Sequence, residues 1–98
     1  MSRHLFRTID SNRVAVTVTL GYDRPLDFVF CTVMDHRDEP IYTNLDDDDA
    51  GTHQQDISYY RPILTRLGIE VPEAMFTEAE SDQANVVGNR VVDHTVSR

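Results

Sequence analysis

The densest chemistry in this 98-residue chain is the run Asp46-Asp47-Asp48-Asp49, followed by Ala50 and Gly51. A calcium loop begun at Asp46 places Asp48 third and Gly51 sixth, as an EF-hand requires. It also places Ala50 fifth and Ile57 twelfth, where a bidentate Glu belongs. Begun at Asp47, the loop moves Gly51 to the fifth position. Calcium chemistry fails on spacing, which leaves a solvated acidic loop or an acidic contact surface.

The remaining reactive residues are scattered. His4, His36, His53 and His94 lie far apart, form no H-x-x-x-H pair, and read as surface or turn histidines. A single cysteine, Cys31, can build neither a structural zinc site nor an internal disulfide. Flanked by Phe30 and Thr32 it reads as a buried thiol, a small hydrophobe and not a nucleophile. Asp35-His36 and Asp93-His94 are neighbours in sequence, but adjacent strand residues point to opposite faces and make no acid/base couple. Phosphate loops of the G-x-x-x-x-G-K-[ST] type and G-x-S-x-G elbows are absent. The residues therefore predict no catalytic group, no metal and no cofactor.

Charge distribution says more. The chain carries 17 Asp and Glu against nine basic residues, all arginine, for a net charge of −8. Residues 35–82 hold 13 of the acids against Arg37, Arg61 and Arg66, a net of −10. Such a field repels nucleic-acid phosphates and attracts basic surfaces. No apolar run approaches the ~20 residues that span a bilayer, and Met1-Ser2-Arg3-His4 opens no signal-peptide pattern. The expectation is a cytoplasmic protein that avoids membranes and direct nucleic-acid contact.

The elements that must position these groups follow from periodicity. His4 to Ile9 alternates weakly, and Asp10-Ser11-Asn12 supplies turn formers. Val14, Val16, Val18 and Leu20 alternate with small or polar residues, a strand with one buried face, before Gly21 to Pro25 interrupts it. Leu26 to Met34 is apolar on both faces, which places it in mid-sheet under a cover from downstream. Ile41 to Leu45 predicts a fourth strand. Ile57, Tyr60, Leu64 and Leu67, with Ile63, form one helical stripe, with its cap near Asp56 or Ser58 and Pro62 in the first turn. Gly68 suits a left-handed stop, with Ile69 folding back on Leu64. A second helix begins at Pro72 and buries Met75, Phe76 and Ala79. Ser81 to Asn89 reads as a loop, and Val91 to Val96 as a last strand. The sum is one α+β domain over residues 1–98, β-β-β-β-α-α-β. It is two-layered, with a mainly antiparallel sheet of four to five strands and both helices on one face.

Tyr59 and Tyr60 sit about 100° apart on the first helix. Tyr60 belongs to the stripe, so Tyr59 falls at its border, beside the acidic run, as a contact residue. The stretch YRPILTRLGIEVPEAMFTE, Tyr60 to Glu78, together with the short, acidic, lysine-free composition, resembles small acidic proteins of bacterial phages and mobile elements. Anti-CRISPR inhibitors are the best-known class among them. That resemblance implies a mode: acidic side chains occupying a basic channel kept for nucleic acid. The class shares no motif, so it assigns no residue.

The residues thus point to a non-enzymatic acidic interaction module that binds a basic protein surface, as an inhibitor or nucleic-acid mimic, and the resemblance implies an anti-CRISPR as one such form. The expected contacts are Asp46, Asp47, Asp48, Asp49 and Tyr59, or Glu73, Glu78 and Glu80 on the second helix. The alternative is a small enzyme or ligand-binding domain that uses histidine and aspartate in a sheet–helix cleft, through His94, Asp93 or His36.

Overall fold

The computed structural model describes residues 2–23, 28–44, 47, 57–85 and 90–95. Five strands form one sheet: β1 (Ser2–Ile9), β2 (Ala15–Asp23), β3 (Phe28–Asp35), β4 (Pro40–Thr43) and β5 (Arg90–Asp93). Their order is β4-β3-β2-β1-β5. The first four make an antiparallel meander, and β5 returns to lie parallel to β1. A 3₁₀ turn (Ile57–Tyr60) leads into α1 (Arg61–Arg66), and α2 (Glu73–Ala84) follows. The architecture is the expected α+β arrangement.

Alternation builds the core. Val16, Val18, Leu20 and Tyr22 of β2 share a face with Val29, Cys31 and Val33 of β3. All seven are buried against Ile57, Tyr60, Ile63, Leu64, Ile69, Met75, Phe76 and Ala79. Both helices therefore cover the same face, α2 over β1 and β2 and the 3₁₀ turn over β3. Gly68 takes φ +76°, and its N–H donates to the Thr65 carbonyl while that of Ile69 donates to Leu64. This is the left-handed stop the sequence requires, with Ile69 and Leu64 both buried.

Several boundaries differ from expectation. β2 runs through Gly21 to Asp23, because the glycine is needed for packing and not for a turn. A Cβ there would stand 2.1 Å from the Ser2 carbonyl oxygen and 2.6 Å from the Phe30 ring. Phe30 thus folds over Gly21 on the face the helices leave open, and β3 is second from the edge with one covered face. α1 carries no side-chain cap, since the 3₁₀ turn runs directly into it with Tyr60 at the cap position. Pro72 caps α2, with ψ 139°, and Glu73 is the first helical residue. α2 continues past Ser81 to Ala84, because Asp82 turns inward on the buried stripe with Met75 and Ala79. β5 spans Arg90–Asp93 and stops where Asp93 Oδ1 accepts the Thr95 N–H.

Candidate functional site

Two places gather polar groups. The first lies where β1, β5 and α2 meet. Inward-facing β1 positions place Ser2 and His4 under α2, where both are fully buried. The parallel pairing of β5 with β1 carries the chain past Asp93 so that His94 lies beside Leu5, its N–H donating to the Leu5 carbonyl at 2.7 Å. Its Nε2 then sits 2.9 Å from Nδ1 of His4, with ring centroids 5.1 Å apart. The other nitrogen of His4, Nε2, lies 2.6 Å from Oδ2 of Asp82.

Asp82 is the hub. Its Oδ2 also accepts from the Ser2 hydroxyl at 2.5 Å, and its Oδ1 accepts from Arg90 Nη1 at 2.7 Å. Arg90 Nη2 reaches on to Glu78 at 3.1 Å. Burial pushes the Asp82 carboxyl up, but the hydrogen bonds from Ser2, His4 and Arg90 outweigh it and hold the group below the usual carboxylate range. An ionised carboxylate only accepts, so His4 Nε2 carries a proton and its Nδ1 faces His94. His94 is only partly buried, and burial first, then His4, lowers its pKa. Ser2 gives its proton to Asp82 and not to a histidine. The cluster therefore lacks the nucleophile–base contact of a serine hydrolase.

The surface reading of His4 is thus corrected. It is the most deeply buried histidine among the described residues, because an inward β1 position met a carboxylate that could satisfy it. His36 lies exposed in the β3–β4 turn, and His53 lies outside the described residues. Asp93 and His94 do diverge, Asp93 pairing with Arg7 at 3.0 Å. Cys31 is buried as expected, its thiol pushed up to about 12 by desolvation.

The second place is the β4 edge. Asp47 Oδ2 accepts the Tyr42 hydroxyl at 2.8 Å and the Tyr59 hydroxyl at 2.9 Å. Tyr59 and Tyr42 also flank Tyr60 edge-to-face, with centroids 5.2 and 6.4 Å away. Pro40, Ile41, Tyr42, Thr43 and Asp47 line an open cleft of about 130 Å³. Two residues named from sequence alone, Asp47 and Tyr59, are therefore bonded to each other. Asp46, Asp48 and Asp49 lie outside the described residues.

The acids of α2 behave differently. Glu73 takes a two-pronged bond from Arg61, at 2.9 and 2.5 Å. Glu78 pairs with Arg90, and Glu80 is half-buried. No helix among the described residues is long and apolar enough to cross a membrane. No protein-family model matches the chain, and neither a curated protein nor a solved structure is significantly similar to it.

Proposed function

We propose that this chain is a non-enzymatic acidic interaction domain that receives a basic protein surface at the β4 edge. The observation that carries it is the Asp47 carboxylate, held by two tyrosine hydroxyls at the wall of a small cleft. Pockets for metabolites run to roughly 300–1,000 Å³, and at about 130 Å³ this one has room for a side chain. With a fixed carboxylate in its wall, that side chain is an arginine or lysine. β4 is one of the two edge strands of the sheet, and Ile41 beside the cleft is 42 % exposed. An edge strand also offers main-chain groups to a partner segment. The net charge of −8 then supplies steering, and an inhibitor or nucleic-acid mimic is the form such a domain takes. The α2 acids contribute less, because Arg61 and Arg90 already neutralise Glu73 and Glu78.

The test starts from a salt-eluted pull-down on host extract, followed by kinetics with the partner it yields. Replacing Asp46, Asp47, Asp48 and Asp49 together with asparagine slows association, and the effect shrinks as salt rises. Tyr59→Ala instead speeds dissociation. Unchanged association in the quadruple variant sinks the β4-edge reading. The second reading, a ligand-binding domain, is favoured by the contact between His4 and His94.

A further inference from the structure

We infer that His4, His94 and Glu78 form a binding site for a divalent transition metal of the zinc class. The proposal is independent of the β4 edge and stands whether or not a partner docks there. One ligand atom each from His4, His94 and Glu78 lie within 4.8 Å of one another, and the two histidines approach through His4 Nδ1 and His94 Nε2. Two imidazoles and a carboxylate are a zinc donor set that leaves a fourth position for water or a ligand. Tetrahedral zinc, with bonds of about 2.0–2.1 Å, holds its ligand atoms roughly 3.3 Å apart. The two nitrogens are 2.9 Å apart, so they must part by a few tenths of an ångström. His94 lies just past the end of β5 and is only partly buried, so it can supply that movement.

The surroundings of the ligands favour the proposal. A metal-bound histidine usually donates its second nitrogen to a carboxylate, which fixes the ring and raises its basicity. His4 does so at 2.6 Å to Asp82. Asp82 is itself held by Ser2 and Arg90, and Arg90 steadies Glu78. With neutral rings, two carboxylates and one guanidinium leave a net negative charge to meet a cation. Nitrogen-rich ligation selects zinc, nickel or copper over magnesium or calcium, which require oxygen. A purely structural network would satisfy the same two nitrogens with one shared proton. Metal affinity therefore separates the two cases.

The experiment is calorimetric titration of the chelator-stripped chain with Zn²⁺, with Mg²⁺ and Ca²⁺ as comparisons and Co²⁺ absorption as a geometric readout. The expected result is one equivalent of Zn²⁺ bound, tetrahedral Co²⁺ bands, and no response to Mg²⁺ or Ca²⁺. His94→Gln and Glu78→Gln, both at partly exposed positions, each weaken Zn²⁺ at least tenfold while circular dichroism stays native. Asp82→Asn, which keeps the size of the hub, weakens it about 10–100-fold, and His36→Gln leaves it unchanged. Absence of Zn²⁺ binding by the folded wild-type chain overturns the proposal. So does Zn²⁺ binding that survives both His94→Gln and Glu78→Gln, or that is lost with His36→Gln.

Discussion

At the residue scale, Asp82 and His94 are two of the groups that tie the stability of the fold to pH. The folded pKa of Asp82 is depressed because the bonds from Ser2, His4 and Arg90 outweigh burial, and that of His94 is depressed by burial and by His4. The unfolded chain therefore binds protons first at both groups. The sign follows from linkage: each contribution is full above the group's unfolded pKa and is lost as pH falls through its folded pKa. The His94 share begins to fade below about pH 6.5 and the Asp82 share below about pH 3.9. With a chelator present, urea midpoints fall on acidification in these two windows, and His94→Gln removes the first while sparing the second. A wild-type midpoint that rises as pH drops through the first window contradicts this assignment. The histidine pair was illegible in sequence, since its members are 90 positions apart and only β5 docking beside β1 joins them. One faint signal existed: Asp82 continues the Met75–Ala79 spacing, so a charged residue occupied a core position of α2.

At the element scale, two hairpin turns repeat one device. Asp10 Oδ1 accepts the N–H groups of Asn12 and Val14, and Asp35 Oδ1 accepts those of Arg37 and Glu39. In each turn the fourth residue adopts positive φ, Arg13 at 65° and Asp38 at 61°. Arg13→Gly relieves that strain at some entropic cost, a net gain of about 0.5 kcal/mol. Gly21→Ala acts the other way, because its Cβ meets the Ser2 backbone and the Phe30 ring, and costs roughly 1–3 kcal/mol. Chemical denaturation of both variants checks the pair, and a tolerated Gly21→Ala contradicts the close packing over β2. Periodicity revealed β2, β3 and the α1 stripe because their alternation was regular. It misjudged the end of β2, since a glycine required by a neighbouring ring looks the same in sequence as one required by a turn.

At the scale of the whole molecule, the chain carries a net charge of −8, and among the described residues several of its acids are paired within the fold. Arginines from elsewhere in the chain take Glu73, Glu78, Asp82 and Asp93, and tyrosine hydroxyls hold Asp47 at the sheet edge. Sequence could count the acids and point to Asp47 and Tyr59. It could not tell which acids would find an arginine, because those pairs span 8 to 86 positions. The central claim is that a basic segment binds at β4, and amide NMR with a short arginine–glycine repeat peptide tests it most directly. Shifts confined to residues 41–43, 47 and 59, fading as salt rises and lost in Asp47→Asn, are the result expected. Shifts spread evenly over all the acidic positions, or centred on α2, or unchanged in Asp47→Asn, contradict it.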